Sequence, residues 1–304
     1  MTVARAVRIV EVGPRDGLQN EAVSVSPLAR IAFVERLIGA GLRTIEVGSF
    51  VSPKWVPQMA HSDQVLRGLG IREGIDLPVL VPNEKGLDAA IEAGAREVAI
   101  FAAASEAFSR KNINCSIAES IERFRPVSER ALASGIKLRG YVSCVLGCPY
   151  QGDVPVNDVV GVAAALERLG CYEVSLGDTI GVGTPGKARA LVKAVADVVP
   201  MEHIAVHFHD TFGQALANLV TVLDEGVRVV DAAAGGLGGC PYAKGASGNV
   251  ATEAVVYMLD GMGVETGVDL SGLLDAVGYI LEQLGRTSRS NVYRAMRESQ
   301  GEAA

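Results

Sequence analysis

His203-Ile204-Ala205-Val206-His207-Phe208-His209-Asp210 is the stretch that decides how the chain is read. From Ile204 to Phe208 it is apolar and β-prone apart from His207, the pattern of a buried strand about to emerge into a loop. Side chains alternate along a strand, so positions 207 and 209 share a face and Phe208 points into the opposite layer. Two imidazoles on one face at a strand end can grip one metal ion from one side. A lone histidine is more often an ordinary surface or core residue. This chain has only four, however, and three fall within the seven positions 203–209, which moves the reading toward a site.

Outward from that stretch, seven further β-prone runs follow the same form. They cover residues 7–12, 44–48, 78–81, 97–102, 138–144, 173–176 and 229–233, and the opening stretch, 204–209, falls seventh among the eight. Helical periodicity separates them over 27–40, 86–94, 116–134, 156–169, 185–199, 213–226 and 249–262. Ser26-Pro27 opens the first helix, with serine as N-cap and proline at the first helical position. Eight strands alternating with helices predict a parallel α/β fold, and a closed (β/α)8 TIM barrel accounts for both the count and the length. The barrel is expected over about 7–262, with a short C-terminal helical extension over about 263–304, all in a single domain. A doubly wound open sheet competes, but no G-x-G-x-x-G follows the first strand.

In such barrels the chemistry sits at the C-terminal strand ends. Those ends supply Arg15 and Asp16, Glu46, Asn83, Asp178, and His207 and His209. The last strand leads into the glycine-rich loop 235–249, which carries Cys240 and ends at Asn249. Asp16 with the two histidines offers one oxygen and two nitrogens, and Asn249 can add an amide oxygen. That mixed set without thiolate suits Mg²⁺ or Mn²⁺, with Zn²⁺ open. The structural alternatives are a turn cap for Asp16 and a helix cap for Asn249. Arg15 is a fixed cation for developing enolate charge or a plain turn ion pair. Glu46 interrupts an apolar strand and needs a partner, for which Arg15 is the natural choice. Asp178 either orients a ligand or proton shuttle or caps the next segment. Asp210 reads as the N-cap of the following helix. A thiol over a barrel mouth suits Cys240 to proton donation or nucleophilic attack.

Composition narrows the partners. With 49% hydrophobic residues among 304, the chain can bury a large core, and a net charge of −7 argues against nucleic acid or an anionic membrane. No apolar run reaches a membrane span and no targeting segment is read, so the cytoplasm is expected. The five cysteines show no paired zinc spacing, and Cys115, Cys144 and Cys171 read as small core residues.

Val12-Gly13-Pro14-Arg15-Asp16-Gly17-Leu18-Gln19-Asn20-Glu21 resembles the opening motif of the 3-hydroxy-3-methylglutaryl-CoA lyases. Ser49-Phe50-Val51-Ser52-Pro53-Lys54-Trp55-Val56-Pro57-Gln58-Met59, Lys111-Asn112-Ile113-Asn114-Cys115-Ser116, the stretches 140–150 and 175–186, and the Cys240 loop are similar to the same family. The resemblance implies a metal-dependent barrel with an Asp-Arg-Glu constellation, here Asp16, Arg15 and Glu46. It implies Mg²⁺ or Mn²⁺ on Asp16, His207, His209 and Asn249, with Cys240 catalytic. The implied reaction is retro-Claisen cleavage to acetyl-CoA and acetoacetate by a homodimer. Arg15, Asp16, Glu46, Asp178, His207 and Cys240 are the catalytic candidates; Arg15, Gln19, Asn112 and Arg139 are those for binding the acyl-CoA. The chain departs in Phe208, where cysteine is frequent, and in Ala22, where lysine is frequent. Chains of this kind are also expected to take longer-branched 3-hydroxyglutaryl-CoA esters. Two rivals stand: a forward Claisen synthase or pyruvate-type aldolase on the same barrel, and a non-catalytic metal-binding scaffold.

Overall fold

A computed structural model describes residues 6–239 and 248–301 of the chain. Its strands are β1 (Arg8–Glu11), β2 (Thr44–Ile45), β3 (Gly48–Ser49), β4 (Val79–Leu80), β5 (Glu97–Ala103), β6 (Lys137–Ser143), β7 (Glu173–Asp178), β8 (Ile204–Phe208) and β9 (Val229–Ala232). All pair in parallel, in the order β2-β1-β9-β8-β7-β6-β5-β4-β3. The two ends of that order, β2 and β3, are halves of one short run of chain. The sheet therefore closes on itself, and the eight expected strands form the expected barrel.

Hydrogen bonding continues through the interruption between β2 and β3. Glu46 N donates to Glu11 O at 2.9 Å on one side, and Val47 N to Pro78 O at 3.0 Å on the other. Arg30, buried on α1 (Pro27–Gly39), donates from Nη2 to Val47 O at 3.1 Å and from Nη1 to Ala60 O at 3.0 Å. Burial without a carboxylate lowers its pKa to about 10.

Helices α1, α2 (Ser62–Leu69), α3 (Glu84–Glu92), α4 (Glu106–Ile113), α5 (Ile117–Ala133), α6 (Val156–Arg168), α7 (Pro185–Ala196), α8 (Ala215–Asp224) and α9 (Thr252–Gly261) connect the strands or follow the last. Ser26 caps α1 as expected, accepting from Ala29 N at 3.2 Å. Asp210 accepts from Ala215 N at 3.0 Å, but the N-cap position of α8 is held by Gln214, so Asp210 is not the N-cap expected from sequence. The apolar core lies between strands and helices, where Phe33, Leu37, Leu166 and Phe208 are fully buried. Each such side chain contributes about 1.5–3 kcal/mol by burial. Phe208 faces this outer layer, as the alternation required.

The structure corrects the sequence reading in three places. Helices α2 and α4 were not foreseen, and α9 begins at Thr252 instead of 249. Residue 249 is extended and bridges His209, while Ala251 bridges Ala233, so Asn249 lies beside the strand ends and is not a helix cap. The extension is helical: α10 (Leu270–Leu284) packs on α1, and α11 (Asn291–Gly301) on α9. Asp269 caps α10 by accepting from Ser271 N and Gly272 N. Beyond α10, Arg286 ties the extension back to the first loop through Glu21 at 2.8 Å.

Candidate active site

β1 ends in a single π-helical turn, Gly13–Gly17, that delivers Arg15 and Asp16 to the C-terminal mouth of the barrel. Gly17 is required there because a Cβ would lie 2.6 Å from Leu237 Cβ. Two strands away in the sheet, β8 carries His207 and the residue just past its end is His209, with ring centroids 5.4 Å apart. Ligand atoms of Asp16, His207 and His209 all lie within 4.8 Å of one another. His207 Nε2 is 4.0 Å from Asp16 Oδ2. Asn249 joins the group by donating from Nδ2 to Asp16 Oδ2 at 2.8 Å and to Leu237 O at 3.1 Å.

The electrostatics fit a cation. Burial opposes ionisation of Asp16, but Arg15, both imidazoles and the Asn249 bond outweigh it and hold its pKa at about 2. Burial, reinforced by His207, depresses His209 to about 4, so its imidazole is neutral near pH 7. His209 Nδ1 is buried with no hydrogen-bond partner among the described residues, an arrangement costly to leave uncompensated. Burial also pulls His207 down, but its bond to Asp231 and the charges of Asp16 and Asp231 raise it overall. One carboxylate oxygen and two imidazoles, one with an unspent buried nitrogen, make a donor set suited to a divalent cation.

Behind this group, Arg15 Nε donates to Glu46 Oε2 at 2.6 Å and Nη1 to Asp16 Oδ1 at 2.8 Å. The two carboxylates raise the Arg15 pKa against the effect of burial, so it stays charged. Glu46 is fully buried, and Arg15 is the partner its strand position called for.

A cavity of about 730 Å³ opens onto the site. Its polar lining includes Arg15, Asp16, Tyr141, His207 and His209, together with Gln19, Lys111, Asn112 and Asn114; Val51, Trp55, Val56, Leu80, Pro82, Phe101 and Phe108 supply the apolar part. Glu46, Asp178 and Arg139 do not line it. Asp178 is fully buried, and its two oxygens accept from Val182 N at 3.2 Å and Gly183 N at 2.7 Å. Arg139, also fully buried, donates to Glu173 at 2.7 Å and to both oxygens of Asp231. Cys240 lies outside the described residues.

Two residues in or against the site were not singled out from sequence. The Tyr141 ring has the guanidinium carbons of Arg139 and Arg15 at 4.9 and 5.5 Å from its centre and meets His207 edge-on. Its buried hydroxyl has no partner among the described residues. Asp231 contacts His207 from β9. The signals were present: Tyr141 alternates in phase with Arg139 on β6, and Asp231 is a lone charge in an apolar strand, as Glu46 is.

Among the described residues no helix is long and apolar enough to cross a membrane. A family profile described as HMGL-like matches residues 6–280. The chain is 57% identical over 296 residues to the 3-hydroxy-3-isohexenylglutaryl-CoA/hydroxy-methylglutaryl-CoA lyase of Pseudomonas aeruginosa, covering 97% of this chain and 99% of that one. The crystal structure of a hydroxymethylglutaryl-CoA lyase from Pseudomonas aeruginosa superposes with a TM-score of 0.97 at 56% identity, covering 98% and 100% of the two chains. An HMG-CoA lyase of Acinetobacter baumannii, solved with coenzyme A and 3-methylmalate, gives 0.92 at 34% identity, covering 97% and 96%.

Proposed function

The chain belongs to the HMGL-like family, and from that premise we propose that it is a carbon–carbon lyase cleaving 3-hydroxy-3-methylglutaryl-CoA to acetyl-CoA and acetoacetate. The observation that carries this reading is the meeting of Asp16, His207 and His209 beside the buried Arg15 in one cavity. A non-catalytic scaffold has no use for that combination. Asp16, His207 and His209, with Asn249 as a fourth contributor, would hold a divalent cation, Mg²⁺ or Mn²⁺, which when bound would supply Lewis acidity toward the substrate's C3 hydroxyl.

Asp16, or an imidazole backed by Asp178, accepts the hydroxyl proton. The C2–C3 bond then breaks, its electrons passing to the thioester enolate while C3 becomes the ketone of acetoacetate. Arg15, held in place by Glu46 and Asp16, stabilises the enolate oxygen. Cys240, or a water it positions, returns a proton to C2. Gln19 and Asn112, both on the cavity wall, bind the acyl-CoA; Arg139 acts from behind Tyr141 and Asp231.

Acceptance of longer 3-alkyl branches as well is supported by the Pseudomonas aeruginosa relative, whose name includes a 3-hydroxy-3-isohexenylglutaryl-CoA lyase. The working form is a cytoplasmic homodimer, to be checked by light scattering. The test of the activity is acetyl-CoA release from the methyl and a longer-branched thioester, after EDTA and after Mg²⁺ or Mn²⁺ is restored. Cation-dependent release supports the reading. Condensation of acetyl-CoA with a 2-oxo acid, without cleavage, overturns it in favour of a synthase.

A further inference from the structure

We propose that Asp231 is a positioning residue that locks His207 in one tautomer and so aims its Nε2 lone pair at the Asp16–His209 group. His207 on β8 and Asp231 on β9 are direct partners across two parallel strands. His207 Nδ1 lies 3.3 Å from Asp231 Oδ2.

Asp231 is in turn held by three further hydrogen bonds from two residues. Arg139 donates from Nη2 to Oδ1 at 2.7 Å and from Nη1 to Oδ2 at 3.2 Å, and Ser175 Oγ donates to Oδ2 at 2.7 Å. Arg139 is braced by Glu173, whose other oxygen pairs with Arg8. Two arginines thus face two carboxylates, and Arg139, Glu173, Ser175 and Asp231 are all at most 1% exposed. Such a neutral, interlocked group satisfies its buried charges internally. It also has little freedom to move.

The consequence for His207 follows from donor chemistry. Beside Arg139 the Asp231 carboxylate stays ionised and can only accept hydrogen bonds. The proton of a neutral His207 must therefore sit on Nδ1, which leaves the Nε2 lone pair on the side of Asp16 Oδ2, 4.0 Å away. His209 has no such anchor, since its Nδ1 is without a partner among the described residues. The two imidazoles are thus unequal: the fold fixes His207 in advance, whereas His209 is not fixed by a second carboxylate. Carboxylates placed behind ligating histidines typically change metal affinity by about 10–100-fold when removed.

This proposal rests on reading Asp16, His207 and His209 as cation ligands, and two independent readouts separate the two ideas. The first is long-range ¹H–¹⁵N correlation on the cation-free, ¹⁵N-labelled wild type near pH 7.5. With four histidines in the chain the spectrum is simple, and H207Q assigns the relevant ring. Nδ1–H with a bare Nε2 is expected; Nε2–H overturns the proposal. The second is Mn²⁺ affinity from the EPR signal of free ion, measured on wild type, D231N and S175A. D231N should bind about 10–100-fold more weakly and lose the single tautomer, with S175A a few-fold weaker and its tautomer kept. Folded D231N that binds within threefold of wild type also overturns the proposal. If D231N does not fold, the wild-type tautomer and S175A decide. A wild type that binds no Mn²⁺ overturns the cation reading itself, and the proposal with it.

Discussion

Replacing Arg15 with methionine keeps a side chain of similar length and removes a single charge. Two effects of different origin should follow. Arg15 lines the cavity and is the cation assigned to the enolate oxygen. Losing one preorganised oxyanion donor costs ~10²–10³ in rate, about 2.7–4 kcal/mol of transition-state stabilisation, and a full charge should cost at least that. Separately, Glu46 is 0% exposed, and among the described residues its carboxylate is bonded only by the 2.6 Å contact from Arg15. Breaking a buried pair by deleting one partner costs about 3–5 kcal/mol, because the remaining charge is stranded. The double substitution R15M/E46Q separates the two effects. Neutralising position 46 should restore most of the lost stability and none of the lost activity. Acetyl-CoA release and thermal melting measured on R15M, E46Q and the pair complete the cycle. If R15M stays within a few-fold of wild type, or if E46Q rescues its activity, the enolate role for Arg15 is wrong.

Three further outcomes are expected. Glu11 is fully buried beneath Gly13, Ala234 and Thr252, and burial raises its pKa from 4.5 to about 7. Its folded state therefore favours the protonated form, so its stabilising effect is complete below pH 4.5 and is lost as pH rises through 7. That change amounts to ~3 kcal/mol, and denaturant titrations of E11Q across this window should show it flattened. Gly17→Ala forces a Cβ against Leu237; about 1–3 kcal/mol of overpacking, with a larger loss of Mn²⁺ affinity than of melting temperature, would show that this turn places Asp16. His209→Ala should abolish cation-dependent acetyl-CoA release while leaving the melting temperature within a few degrees, since its Nδ1 bonds to nothing else among the described residues.

Much of this was legible in the sequence because strands and strand ends carry local signals. The 207/209 alternation, the lone Glu46 in an apolar strand and the Arg15–Asp16 pair each followed from period-two geometry and the cost of burying charge. The structure shows Glu46 bonded to Arg15 as that reasoning required. The break between β2 and β3 was not legible, since residues 44–49 hydrogen-bond outward to two different neighbours and no local pattern records that. Helices α2 and α4 span eight residues each, too few turns for a periodicity to stand out. Arg139 and Asp231 are 92 positions apart, and only barrel closure shows that each is the other's partner. Asp178 could be read as a cap or a shuttle residue; its oxygens hold Val182 N and Gly183 N in the turn ahead of α7.

The most direct test of the central claim is anomalous diffraction from a crystal of this protein soaked in Mn²⁺. A single strong peak is expected about 2.0–2.3 Å from an Asp16 carboxylate oxygen, His207 Nε2 and a His209 ring nitrogen. A map with no peak among those three side chains, at Mn²⁺ concentrations that sustain turnover, would contradict it.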